Sequence, residues 1–401
     1  MGNGLQSSNI KQNVTTDISK SAAIKFVVLL GIISLFADMT YEGARSVTGQ
    51  FLAQLGASAT IVGFVAGFGE LLGYGLRIVS GYLVDKTARY WTITITGYLL
   101  NLIAVPLLAL AGNWQIAALL IIMERVGKAI RNPARDAMLA HSGQQIGSGW
   151  AFGLNEFLDQ FGAMLGPLII AAVLYFKGDY RDGFALLLAP ALIALSILLV
   201  ARTLYPKPQN LEVNLNLKAK GMDKTFWLYL VAASFVAAGY ADFALMAFHF
   251  AKKAVLSNSV IPLSYALAMG ISGATALIFG KIFDRDGFSI LIIVTLVSAL
   301  FAPLVFWGGP LLVFVGVALW SIGLSAHESL MGAVIANMVS KDKRGSAYGV
   351  FNTGFGIAWF LGSWLMGILY DISITYLIVF SVATQIIAAI LLCFVMRRLS
   401  K

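Results

Sequence analysis

Gly81-Tyr82-Leu83-Val84-Asp85-Lys86-Thr87-Ala88-Arg89 and Gly280-Lys281-Ile282-Phe283-Asp284-Arg285-Asp286-Gly287 follow one pattern: glycine, an apolar pair, aspartate, then a basic residue. Each stretch ends a long apolar segment. Two further pairs recur in the same order and at nearly the same offset. Ala151-Phe152-Gly153, leading to Leu165-Gly166, matches Ala347-Tyr348-Gly349, leading to Leu361-Gly362. Phe36-Ala37-Asp38 matches Tyr240-Ala241-Asp242. Three ordered matches indicate a duplicated unit, and duplicated membrane units place a substrate site at their interface near the bilayer midplane.

Working outward, the 401 residues are 59% hydrophobic and only 12% charged, against about 25% charged in an average soluble domain. That balance excludes a soluble enzyme, a disordered chain and a nucleic-acid-binding domain. A span needs ~20 apolar residues to cross ~30 Å of hydrocarbon. With that ruler twelve spans are expected: 22–48, 57–83, 91–111, 114–132, 149–175, 183–203, 225–250, 259–282, 288–307, 309–336, 346–369 and 372–396. The expected fold is all-α and integral to the membrane, with twelve transmembrane helices in two pseudo-symmetric six-helix bundles. Residues 1–21 and 397–401 read as cytoplasmic tails, 22–203 and 225–396 as the bundles, and 204–224 as the cytoplasmic linker between them. The tail at 1–20 lacks the pattern of a signal peptide.

Orientation follows from the basic residues. With the N-terminus inside, only Lys177, Arg181, Lys252 and Lys253 fall in outer loops, against twenty basic residues in inner loops and tails. The expected location is the inner (plasma) membrane, multi-pass, with both termini cytoplasmic. The net charge of +9 then belongs to the cytoplasmic face and gives no reason to invoke nucleic acid. The single Cys393 cannot form an internal disulfide.

Twelve spans, a long central loop and the duplicated motif together resemble the major facilitator superfamily over nearly the whole chain. The stretch 81–89 is similar to that superfamily's loop G-x-L-x-D-[RK]-x-G-R, with Ala88 where the second glycine stands. Glu124-Arg125-Val126-Gly127-Lys128 resembles its fourth-helix pattern with a buried arginine. Gly153, Gly162, Gly166 and Pro167 resemble the fifth-helix pattern of proton-driven drug exporters, although Ile170-Ala171 replaces the terminal glycine pair. Gly162-x3-Gly166 also reads as small-residue helix packing. The resemblance implies that Asp85 latches the two halves at the N-terminus of the eleventh helix, with Gly81, Arg89, Asp284 and Arg285 as the remaining gating residues. For Arg125 it implies a role in handling protons or substrate.

Charges inside spans cost ~2.5–3.5 kcal/mol each on insertion scales and mark functional sites by default. The acids are Asp38, Glu42, Glu70, Glu124, Glu156, Asp159, Asp242 and Glu328; the bases are Arg45, Arg77, Arg125 and Lys128. Carboxylates therefore exceed cations, and Asp38, Glu156, Asp159 and Asp242 are the candidates for proton coupling. Glu156 and Asp159 lie three apart on one helical face and cannot both ionise cheaply. Helical spacing puts Asp38, Tyr41, Glu42 and Arg45 on one face. Those residues, with Arg125, Tyr240, His249, Trp320, His327 and Glu328, are expected at the substrate cavity. Glu124 and Lys128 could simply neutralise each other as an i, i+4 pair, and Glu156 and Asp159 could form a salt bridge to the fourth helix. Arg131, Arg135 and Asp136 are expected at the cytoplasmic end of that helix, beside Asn132-Pro133.

No Walker A motif is present, so the energy is expected from an ion gradient. The expected activity is proton-coupled secondary transport by alternating access, exporting a small organic molecule or drug. Uptake by symport, and export of a metal ion or lysolipid, are the alternatives. An intramembrane enzyme is disfavoured: His327-Glu328 is not continued as H-E-x-x-H. The expected partners are the substrate, protons and the lipid bilayer; no cofactor or resident metal is expected, and the chain is expected to act as a monomer.

Overall fold

The computed structural model describes residues 4–146, 148–176, 178–206, 222–286, 288–338 and 344–399. The side chains of Asp85, Asp284, Arg285, His327 and Glu328 lie outside the described set. The first half comprises α1 (Gly4–Gln54), α2 (Ala59–Thr87), α3 (Tyr90–Leu107), α4 (Trp114–Ile146), α5 (Ser148–Tyr175), α6 (Tyr180–Leu186) and α7 (Leu188–Leu204). The second comprises α8 (Lys224–Gly239), α9 (Phe243–Lys252), α10 (Val260–Asp286), α11 (Ser289–Ser298), α12 (Phe301–Phe306), α13 (Pro310–Met338), α14 (Arg344–Ile372) and α15 (Ile374–Leu399). Three helix pairs, α6–α7, α8–α9 and α11–α12, each make one crossing. The described residues therefore form twelve crossings. Helices are the only way such apolar segments can satisfy their backbone in lipid without closing a barrel.

Crossing ends differ from the sequence reading where polar residues face inward. The fourth span was expected to stop at 132, before Pro133. Instead α4 runs on to Ile146 with Pro133 inside it, as neighbouring helices allow in membranes. This carries Arg131 and Arg135 into the bundle, and Arg131 is fully buried.

The seventh crossing breaks at Tyr240, Ala241 and Asp242 and is otherwise almost wholly buried, as befits a central helix. Three polar groups at the break have side-chain hydrogen bonds. Asp242 Oδ1 accepts from Ala244 N at 3.0 Å and caps α9. Ala241 O accepts from the Trp320 indole at 2.9 Å. The Tyr240 hydroxyl donates to the Trp320 carbonyl.

The halves seal against each other at the end where α2 begins. Gly49 of α1 lies directly against the α9 backbone at Ala244 and Phe248, and Gly367 of α14 against Ala59 and Thr60. No Cβ fits at Gly49 without displacing backbone. Asp371, near the end of α14, accepts from Thr60 N at 2.8 Å, Thr60 Oγ1 at 2.7 Å and Ala59 N at 3.3 Å. It thereby caps the first turn of α2 across the two halves. Within the first half, Gly162 and Gly166 of α5 receive the α1 backbone at Leu35 and Met39. Gly162 and Gly166 of the exporter-like pattern thus serve close packing of α1 on α5, whereas Gly153 faces open space. Leu119, Leu192, Ile293 and Ile390, among others, are exposed on the outside of the bundle, where acyl chains would cover them.

At the opposite end, α2 terminates at Ala88, whose φ of 50° is left-handed and whose N–H returns to Val84 O at 2.8 Å. This is the position where the superfamily loop has glycine, a residue that adopts that conformation without Cβ strain.

Candidate functional site

Between the halves lie two connected lobes. The first, about 380 Å³, is lined by Glu42, Arg45, Glu70, Arg77, Arg125 and Lys128 on one side and by aromatic residues of the second half on the other. The second, about 610 Å³, extends from Asp38 and Tyr41 past Asn132, Arg135 and Asp136 to Gly153, Glu156 and Asp159. Glu42, Arg45, Lys128 and Tyr265 line both. The lobes run from the seal toward the Ala88 end.

Arg45 is the hub. Its Nη2 lies 3.1 Å from Glu70 Oε1 and 3.0 Å from Asp242 Oδ2, and its Nη1 lies 3.8 Å from Glu42. The Asp242 contact crosses from one half to the other. Arg125 approaches Glu70 at 3.3 Å and Glu124 at 3.3 Å. Asn101 donates to Glu124 Oε1 at 2.8 Å. Tyr265 donates to Glu42 Oε2 at 2.5 Å, and Lys128 stands 3.8 Å from that carboxylate and 4.0 Å from the centroid of the Tyr41 ring. A charge buried without a partner is far costlier than a paired one, and this network leaves each of these carboxylates with a cation.

The acids assigned to proton coupling occupy different surroundings. Asp38 Oδ1 is 3.8 Å from Arg131 and accepts no hydrogen bond among the described residues. Arg131 is held between the rings of Tyr98 and Tyr41, at 4.3 and 5.5 Å. Asp159 meets Arg135 at 3.5 Å and Asn155 at 3.0 Å. Arg135 also contacts Asp136 at 2.9 Å and donates to Ser34 at 3.0 Å. Glu156 accepts from Gln160 at 3.1 Å and has no cation within ion-pair distance among the described residues. Asp242 both caps α9 and holds Arg45. The sequence count of carboxylates over cations therefore shrinks, because Arg131 and Arg135 enter from α4. The base reaching Asp159 is Arg135, while Arg125 and Lys128 turn to other acids. Lys128 faces Glu42 and Tyr41 instead of pairing with Glu124.

Other sequence candidates disperse. Trp320 lines the first lobe. Tyr240 is fully buried behind it, stacked at 6.1 Å, and does not line either lobe. His249 lies toward the sealed end, where Nδ1 is 3.0 Å from Tyr370 Oη and the ring packs on Phe306 at 5.1 Å. It was expected at the cavity; its neighbours make it a packing residue of the seal. Gly81 faces Pro133 of α4 at 3.8 Å from an ideal Cβ, and Arg89 is exposed in a shallow groove with Trp91 and Arg202. Sequence reasoning missed Tyr265, Asn101 and the aromatic row Phe351, Phe355 and Trp359. The four-residue spacing of that row on one helical face was its available signal.

The architecture agrees with known proteins. The family model of the Major Facilitator Superfamily matches residues 30–331 and 288–401. The chain is 39% identical over 379 residues to a Mycobacterium tuberculosis protein, Uncharacterized protein Rv2265, covering 92% of this chain and 93% of the relative. It is 33% identical over 120 residues to Multidrug resistance protein MdtH of Proteus mirabilis, covering 30% of each. A crystal structure of the nucleoside transporter NupG superposes with a TM-score of 0.72 at 14% identity, covering 94% of this chain and 99% of that one. Duplicated loop motifs, twelve crossings and a charged cavity between two bundles converge with these matches: the chain belongs to the Major Facilitator Superfamily of membrane transporters.

Proposed function

We propose that this transporter is proton-coupled and exports a small organic molecule by alternating access. The observation that carries the reading is the Arg45 bridge between Glu70 of the first half and Asp242 of the second. A cation shared by two carboxylates on separate moving bodies changes partners when protonation or substrate changes the charge on either side. Asp38, Glu156 and Asp159, in the adjoining lobe, are the groups that would take up and release protons. The direction is supported by the local similarity to a protein named for multidrug resistance. On the orientation set by the basic loops, the Ala88 end is cytoplasmic and the sealed Asp371 end is external. The structure is then an inward-facing state in the inner membrane.

Inverted membrane vesicles containing the protein, energised by a proton gradient and followed with a pH-sensitive dye, test this. A carried compound should dissipate part of the gradient, and Asp38→Asn should abolish that response. A compound that is carried by the unaltered protein with no proton movement would refute the coupling.

A further inference from the structure

We propose that the first lobe binds planar organic anions, with the acidic group of the ligand at Arg77 and its ring system against Phe355 and Trp359. This deepens the transport reading and rests on it. Arg45, Arg125 and Lys128 each have carboxylate neighbours. Arg77 lines the same lobe, yet no carboxylate lies within 4.0 Å of it among the described residues. Its Nε is buried without a hydrogen-bond partner, and its guanidinium rests 5.2 Å from the Tyr74 ring. A guanidinium presents a planar fork of donors suited to a carboxylate or similar anion.

The facing wall supplies the rest. Tyr74 meets Phe355 edge-on at 5.9 Å, and Phe355 contacts Trp359 at 5.7 Å. Trp359 is 5% exposed, lines the lobe, and its indole Nε1 is buried with no acceptor. A buried donor without an acceptor is costly, and a ligand oxygen would satisfy it. Ligand pockets of ~300–1,000 Å³ take drug-sized molecules, so a lobe of about 380 Å³ suits a compound of two fused rings. The neighbouring lobe is lined by the acids Asp38, Glu42, Asp136, Glu156 and Asp159 against the cations Arg45, Lys128 and Arg135, whereas the first lobe has Glu42 and Glu70 against Arg45, Arg77, Arg125 and Lys128. The excess of acid in one and of cation in the other favours the acidic end of a ligand at Arg77, which keeps substrate and proton in separate compartments joined through Glu42 and Arg45.

Isothermal titration of the purified full-length protein with 2-naphthoate, 2-naphthamide and 2-naphthylmethylammonium tests the inference. These share a ring system and differ in charge. Naphthoate should bind at least tenfold more tightly than the amide, with the amine weakest. Arg77→Gln should erase the preference for the anion and Arg77→Lys should keep part of it. Trp359→Phe, which retains the ring and removes the N–H, should weaken naphthoate severalfold. Equal binding of the three probes, a preference for the amine, no binding of any, or an anion preference surviving Arg77→Gln would overturn it. If Arg77→Gln does not fold, the probe series on the unaltered protein decides. A protein that exchanges protons for another compound while ignoring naphthoate keeps the transport reading and loses this one. One that prefers naphthoate but carries nothing loses the transport reading.

Discussion

Arg45 and Asp242 meet at 3.0 Å across the boundary between the two halves, and the same carboxylate caps α9 through Ala244 N. One side chain therefore stabilises a broken helix and reads the charge of the opposite bundle. Asn can replace the cap but not the charge. Asp242→Asn should fold and lose transport. Asp242→Ala should lose about 1 kcal/mol more stability than Asp242→Asn, because the cap goes as well. Arg45→Ala, which leaves Glu70 and Asp242 facing each other, should cost about 3–5 kcal/mol. Thermal unfolding in detergent, alongside vesicle transport, checks all three.

Asp371 and Thr60 hold the seal at the end where α2 begins. A carboxylate at an exposed helix N-terminus contributes about 0.3–1 kcal/mol. Asp371→Ala should shift the population toward the state open at this end by a factor of about 2–5. Accessibility of a cysteine placed at Gln50, measured with an impermeant thiol reagent in a Cys393→Ser background, should rise accordingly.

Gly49 sets how closely α1 approaches α9. Gly49→Val places a side chain against the Ala244 backbone and should prevent closure at this end. The same accessibility measurement should show Gln50 open, with transport abolished and the protein still inserted.

Ala88 ends α2 at φ 50°. A left-handed conformation costs a non-glycine residue roughly 1–2 kcal/mol. Ala88→Gly restores the superfamily residue and should stabilise the protein by about 1 kcal/mol, read as a raised melting temperature. An unchanged or lower melting temperature would show that the strain is relieved elsewhere.

The fold was legible because its signals are additive along the chain: apolar runs give the crossings, and three repeated motifs the duplication. The site was only half legible. Asp38, Glu42, Arg45 and Arg125 stood out because a charge in an apolar span is conspicuous. Which acid meets which base did not, since pairing is decided between helices. Asp38 had no base within a helical turn, yet Arg131 of α4 stands 3.8 Å away. With the fourth span read as ending at 132, Arg131 and Arg135 fall at its cytoplasmic end and are left out of the intramembrane charges. Tyr265 and the row Phe351, Phe355 and Trp359 were hidden by their type, because aromatic residues in a membrane span read equally well as packing.

The central claim is that protonation of the cavity carboxylates biases the alternation between states. The most direct test is the distance distribution between spin labels across both openings as pH is varied. Cys393 is the chain's single cysteine, so one substitution gives a background for label pairs at Ala140 and Met338 and at Gln54 and Asn258. The account predicts that lowering the pH shortens one distance while lengthening the other, and that Asp38→Asn combined with Asp159→Asn makes both indifferent to pH. Distances in the unaltered protein that do not respond to pH, or a response that survives the double substitution unchanged, would contradict it.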